Sequence, residues 1–87
     1  MTPVSHIPIP PPRIFTVEWD AVQRKFLALD DGRALLGMSA DRANAIGSAI
    51  RSANKACSTG GCVAVKVLLQ NGKYRIEYIA QPVFRRP

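Results

Sequence analysis

An α+β domain of two layers is the fold this sequence predicts: an antiparallel sheet of four to five strands, ordered β-β-(β)-α-β-β, with one amphipathic helix packed on one face. Three observations predict it. Apolar residues recur at period two in residues 14–19, at spacings of three and four in residues 39–57, and at period two again on both sides of Asn71-Gly72. The chain has 87 residues, 47% hydrophobic and 21% charged, which suits one small globular domain. Only roughly 60% of the unfolded surface is buried at this size, so the core is thin and self-association is one source of added stability.

Residues 1–13 hold five of the seven prolines, at positions 3, 8, 10, 11 and 12. Without backbone donors this stretch reads as an extended, flexible arm, and the domain is expected over residues 14–81. Ile7 and Ile9 alternate with prolines in the manner of a polyproline II segment, without a full recognition motif. In residues 14–19, Phe15, Val17 and Trp19 fall on one strand face. Residues 20–24 then connect to residues 25–29, a run apolar on both faces, and the pair reads as a hairpin. Asp31-Gly32 predicts a tight turn with positive φ at both central positions, followed by a short third strand over residues 33–38.

Ser39 is the expected N-cap of the helix, with Asp41 in the first turn where negative charge suits the helix dipole. Ala43, Ile46, Gly47, Ile50, Ala53 and Cys57 form the expected apolar stripe. Ser48, Arg51, Ser52 and Lys55 fall opposite, and Gly60-Gly61 supplies a left-handed stop. A two-residue loop at Asn71-Gly72 then pairs Gln70 with Lys73, Leu69 with Tyr74, Val67 with Ile76 and Val65 with Tyr78. The same register sets Lys66 opposite Glu77 and leaves Leu68 and Ile79 on the second face, where Leu27 or Leu29 extends an apolar patch. Pro82 ends the strand, and residues 82–87 form a basic tail ending Arg85-Arg86-Pro87.

Several chemistries are excluded by residue type. A single histidine, His6, lies in the proline arm, far from any rigid frame for a nucleophile and its base. Cys57 and Cys62 are two ligands where a structural zinc needs four, so both are expected reduced and packed as small hydrophobes. Glu18 and Asp20 share a strand face, but turn chemistry accounts for Asp20, Asp30 and Asp31. No enzyme, metal or cofactor is expected. With no apolar run near ~20 residues and no secretory leader pattern, the expected compartment is the cytoplasm.

Charge is distributed unevenly. Residues 1–38 carry four cations and four acids, whereas residues 39–87 carry eight cations and two acids, the whole of the net +6. The expected partner-binding surface is therefore basic: Arg51, Lys55, Lys66, Lys73, Arg75, Arg85 and Arg86, with Lys66, Lys73 and Arg75 pointing the same way. Such a surface suits phosphate or acidic protein. Sequence-specific reading of nucleic acid is not expected, because no helix-turn-helix, RNP or GXXG pattern occurs and Phe15, Trp19, Tyr74 and Tyr78 are placed in the core. The other expected surface is apolar, a homodimer face made of Ala45, Ala49, Leu68 and Ile79.

Over residues 14–81 the layout resembles small phage- and prophage-encoded proteins. The likeness rests on Phe15-Thr-Val-Glu-Trp, Phe26-Leu-Ala-Leu, the Ala-rich helix opened by Ser39-Ala-Asp, Val63-Ala-Val-Lys-Val and Asn71-Gly-Lys-Tyr-Arg-Ile-Glu-Tyr. What the resemblance implies is a non-enzymatic protein that binds a host nucleic-acid-handling complex stoichiometrically, as inhibitors of CRISPR and other defence systems do.

Overall fold

Alternation at period two builds the central strand. In the computed structural model, which describes residues 13–57 and 61–81, β1 (Arg13–Asp20) buries Phe15 and Val17 on one face. The chain continues through β2 (Lys25–Leu29), β3 (Leu35–Ser39), α1 (Arg42–Cys57), β4 (Val63–Leu68) and β5 (Tyr74–Ala80). The five strands form one sheet in the order β3-β2-β1-β4-β5, with α1 packed across it, so the α+β class expected from the sequence is the one observed. Arg13 already pairs in β1, one residue earlier than the expected domain start, while residues 1–12 and 82–87 lie outside the described residues.

The sheet is mixed rather than antiparallel. β1 and β4 run parallel, with Phe15 beside Val65 and Val17 beside Val67. The cause is the helix: a crossover of a dozen or more residues is what a parallel neighbour requires, and α1 carries the chain from edge strand β3 back to the far side of β1. The sheet pattern in the sequence is the same for either direction of β4, so the direction was not visible there.

Two hairpins share one loop geometry. Arg33 N–H donates to the Asp30 carbonyl (3.0 Å) and Asp30 N–H to the Ala34 carbonyl (2.9 Å). Likewise Gly72 N–H donates to the Leu69 carbonyl (3.0 Å) and Leu69 N–H to the Lys73 carbonyl (2.7 Å). Both are three-residue loops with a left-handed residue at the last position, in place of the expected two-residue turns. That position is filled by Gly72 (φ 82°) in one and by Arg33 (φ 69°) in the other. Gly72 adopts the conformation freely, whereas a side chain there costs Arg33 about 1 kcal/mol.

A three-residue loop slides the β4–β5 register by one. Lys66 therefore lies opposite Ile76, and Val67 opposite Arg75, instead of Glu77 and Ile76. A bulge between Val65 and Lys66 then takes up the extra residue and restores the expected Val65–Tyr78 pair. It returns Tyr78 and Ala80 to the helix side beside Val65 and Val63, where Ala80 is buried.

The helix begins later than its first signal. Asp41 is the cap, accepting from Ala43 N–H (3.0 Å), while the Ser39 hydroxyl accepts from Asp41 N–H (3.1 Å) and sets the approach. At the other end Gly61 has positive φ (94°), and Gly60 lies outside the described residues. The buried row is Ala45, Ala49, Ala53 and Cys57, with Ile46 and Ile50 at its flank and Ala43 exposed. Ala45 and Ala49 are thus completely buried against the sheet and cannot form an outward dimer face. Small residues permit close approach: a Cβ at Gly37 of β3 would come within 2.8 Å of the Ser48 Cβ and Oγ. Close contact of helix backbone and sheet rotated α1 away from the stripe that hydrophobicity alone favours. Cys57 is buried as expected, but Cys62 is exposed, and both thiols are free.

Candidate functional site

Among the described residues the helix covers one face of the sheet and leaves the other open. Register assigns Ile14, Thr16 and Glu18 of β1 to the open face, beside Ala64, Lys66 and Leu68 of β4. Beyond β4 the face continues through Tyr74, Ile76 and Ile79 of β5. On its other flank lie Leu27 and Leu29 of β2 with Met38 and Leu35 of β3. Exposed large apolar side chains concentrate there: Ile76 at 55%, Leu35 at 53%, Ile79 at 49%, with Tyr74, Met38 and Ile14 close behind. Leu68 and Ile79 do share this face as expected, and Leu27 and Leu29 extend it.

One polar network crosses this face. The Arg33 guanidinium donates two hydrogen bonds to the Glu18 carboxylate (2.8 and 3.1 Å), and the Tyr74 hydroxyl donates a third (3.3 Å). The left-handed conformation of Arg33 is what returns its side chain from the loop to β1. The bonds from Arg33 hold the Glu18 carboxyl below the usual glutamate range, while partial burial and the Glu18 charge raise the Tyr74 phenol. At the loop's far side Arg13 pairs with Asp31 (2.8 Å) and lowers that carboxyl in the same way.

A group with a depressed folded pKa contributes stability above its unfolded value and loses it as pH falls through the folded one. Thermal unfolding is therefore expected to show a Glu18-dependent loss as pH drops below about 4.3, the unperturbed glutamate value. Glu18→Gln abolishes that part of the acid dependence and leaves the part that belongs to Asp31. Identical pH profiles for the two proteins would contradict the network.

The expected basic surface does not assemble. Lys66 lies within the open face, while Arg75, opposite Val67, lies on the other. Arg75 is bound to Glu77, its Nε donating at 3.0 Å. Arg51 and Lys55 are exposed on the helix, Arg51 donating to the Ser48 hydroxyl (3.3 Å). Lys73 sits in the β4–β5 loop, and Arg85 and Arg86 fall outside the described residues. The one-residue slide of the hairpin is the physical reason, because it exchanges faces for every side chain before the bulge.

Topology gathers a different set of cations. The C-terminal ends of β1, β3 and β4, the N-terminal ends of β2 and β5 and the start of α1 all lie at one end of the molecule. Arg24, Lys25, Arg42 and Lys73 stand at that end, and none belongs to the ion pairs among the described residues, which are Arg13–Asp31, Arg33–Glu18 and Arg75–Glu77. The acids nearby are engaged by backbone: Asp20 accepts from Val22 N–H (2.9 Å) and Asp41 from Ala43 N–H (3.0 Å).

A groove of about 800 Å³ opens at this end, lined among others by Trp19, Phe26, Arg42, Leu68, Gln70 and Asn71. Trp19 is half exposed rather than in the core, its ring 4.7 Å from Phe26 and tilted by 60°. Sequence reasoning placed Trp19 in the core and gave Arg42 no role in a site. The signals were present: Trp19 continues the Phe15–Val17 face one step past the end of the helix, and Arg42 precedes Ala45 by three residues on the sheet-facing side.

Among the described residues no group of three His, Cys, Asp or Glu can hold a metal ion, and no helix is long and apolar enough to cross a membrane. No family model matches the chain, and neither a curated protein nor a solved structure matches it.

Proposed function

We propose that the protein is a non-enzymatic binding module whose working surface is the open sheet face, occupied by a second copy of the chain. The observation that carries this reading is the concentration of half-exposed Ile, Leu, Met and Tyr side chains on one uncovered face of a two-layer domain. A concentration of exposed apolar side chains with a polar group among them marks an interaction site. The occupant is argued from complementarity: two copies related by a two-fold axis set apolar against apolar, and allow Lys66 of one to approach Glu18 of the other. Sheet-on-sheet packing then adds the buried area that a core of valines and alanines lacks. A phage-encoded protein that titrates a host defence complex falls within the same class of binding module, supported by layout resemblance.

Sedimentation equilibrium over a concentration series tests the proposal. A dimer at low micromolar concentration is expected, and Ile76→Lys, a change at an exposed position, is expected to weaken it by at least about tenfold through an unpaired charge at the interface. A wild-type chain that stays monomeric at several hundred micromolar would overturn it.

A further inference from the structure

We propose that the groove at the cationic end binds a nucleobase together with its phosphate, presented by single-stranded nucleic acid. This site lies at the end of the sheet, with Trp19 and Phe26 on the helix side and Leu68 of the open face at its edge, and goes beyond that reading. Its size is within the range of about 300–1,000 Å³ typical of small-ligand sites. Its chemistry is that of a stacking platform. Trp19 is braced by the tilted ring of Phe26 and exposes half of its surface, as a side chain does that offers a ring face to a flat partner.

The polar side of the groove presents donors. Asn71 lines the groove with its Oδ1 accepting from Lys73 N–H (3.0 Å), so what its amide has to offer a ligand is its N–H donors. Arg42 supplies a guanidinium, and among the described residues no carboxylate lines the groove. Arg24 and Lys73, which belong to none of the ion pairs among the described residues, extend the positive field at the same end. A duplex keeps its bases stacked within the helix and cannot offer one to Trp19, so the combination of ring and cations favours a single strand over a double one.

Trp19 is the single tryptophan, which makes the site its own reporter. Titrating the full chain with a twelve-nucleotide mixed-sequence DNA strand is expected to quench its fluorescence saturably at micromolar concentration. Binding should weaken with salt, with a log–log slope of roughly −2 to −3 for three or four contacts at about −0.7 each. The same sequence as duplex is expected to quench at least tenfold more weakly, and adenosine monophosphate, with one base and one phosphate, more weakly still. Arg42→Glu is expected to reduce strand affinity tenfold or more, and a carboxylate in the first helical turn suits the helix dipole, so folding is preserved. Arg51→Glu, on the solvent side of α1, serves as the control and keeps the affinity.

Absence of quenching by the single strand, or quenching that Arg42→Glu leaves unchanged, overturns the proposal. Equal or stronger quenching by the mononucleotide overturns the assignment to a strand in favour of a free nucleotide. Repeating the titration on Ile76→Lys separates the two readings, because loss of the dimer leaves the groove in place.

Discussion

Truncating Phe15 to alanine is expected to cost about 3–5 kcal/mol, the largest effect of any single substitution proposed for this chain. Among the described residues Phe15 is the one large aromatic ring fully inside, 2% exposed, at the middle of the sheet beside Val65 of the parallel neighbour. The rest of the buried cluster is Val17, Val63, Val65, Val67, alanines and Cys57, whose short side chains cannot fill the volume a phenyl ring leaves, and the longer Phe26, Leu36, Ile46, Ile50 and Tyr78 only flank it. Arg13 also loses the ring it covers, its guanidinium carbon lying 5.1 Å from the Phe15 centroid. A domain of this length has on the order of 5–10 kcal/mol in total, so most of its stability disappears. Urea unfolding followed by circular dichroism measures the change. A loss below about 1 kcal/mol would show that Phe15 is not the centre of the core.

Ala49→Leu is the second large effect, expected to destabilise by about 1–3 kcal/mol or more through overpacking. Ala49 has no exposed surface and lies between Ala45 and Ala53 in the row that meets the sheet. The seat is tight, since Ser48 next to it already occupies the place of a Gly37 side chain. Added methylenes there push α1 off β3 and β4. Ala43→Leu, by contrast, is expected to stay within about 0.5 kcal/mol, because Ala43 is exposed. The pair discriminates between two rotations of one helix: if the hydrophobic stripe beginning at Ala43 faced the sheet, the order of the two effects would reverse. Thermal unfolding of both variants decides it.

Much of the architecture was legible. Phe15 and Val17, buried as read, announce β1 by alternation alone, and a helix beginning near residue 40 is announced by spacings of three and four before Cys57. Asn71-Gly72 located a hairpin correctly while misstating its loop by one residue, since the dipeptide serves both a two-residue turn and a left-handed Gly72 at the end of three. That small difference dispersed the expected basic surface, sending Lys66 and Arg75 to opposite faces. The apolar patch of Leu68 and Ile79 survived because Ile79 lies beyond the bulge, where the expected register resumes.

The sequence by itself determined the number and kind of elements, the identity of most core strand residues and the existence of an apolar surplus, because these follow from local periodicity and turn chemistry. Tertiary structure decided the direction of β4, the rotation of α1 onto Ala45 and Ala49, and the meeting of Trp19 with Arg42 at one end of the sheet. The physical reason is the same in each case. Backbone hydrogen bonding between strands distant in sequence, and the closest approach two surfaces can reach, depend on both partners at once, and neither partner's own pattern contains the other.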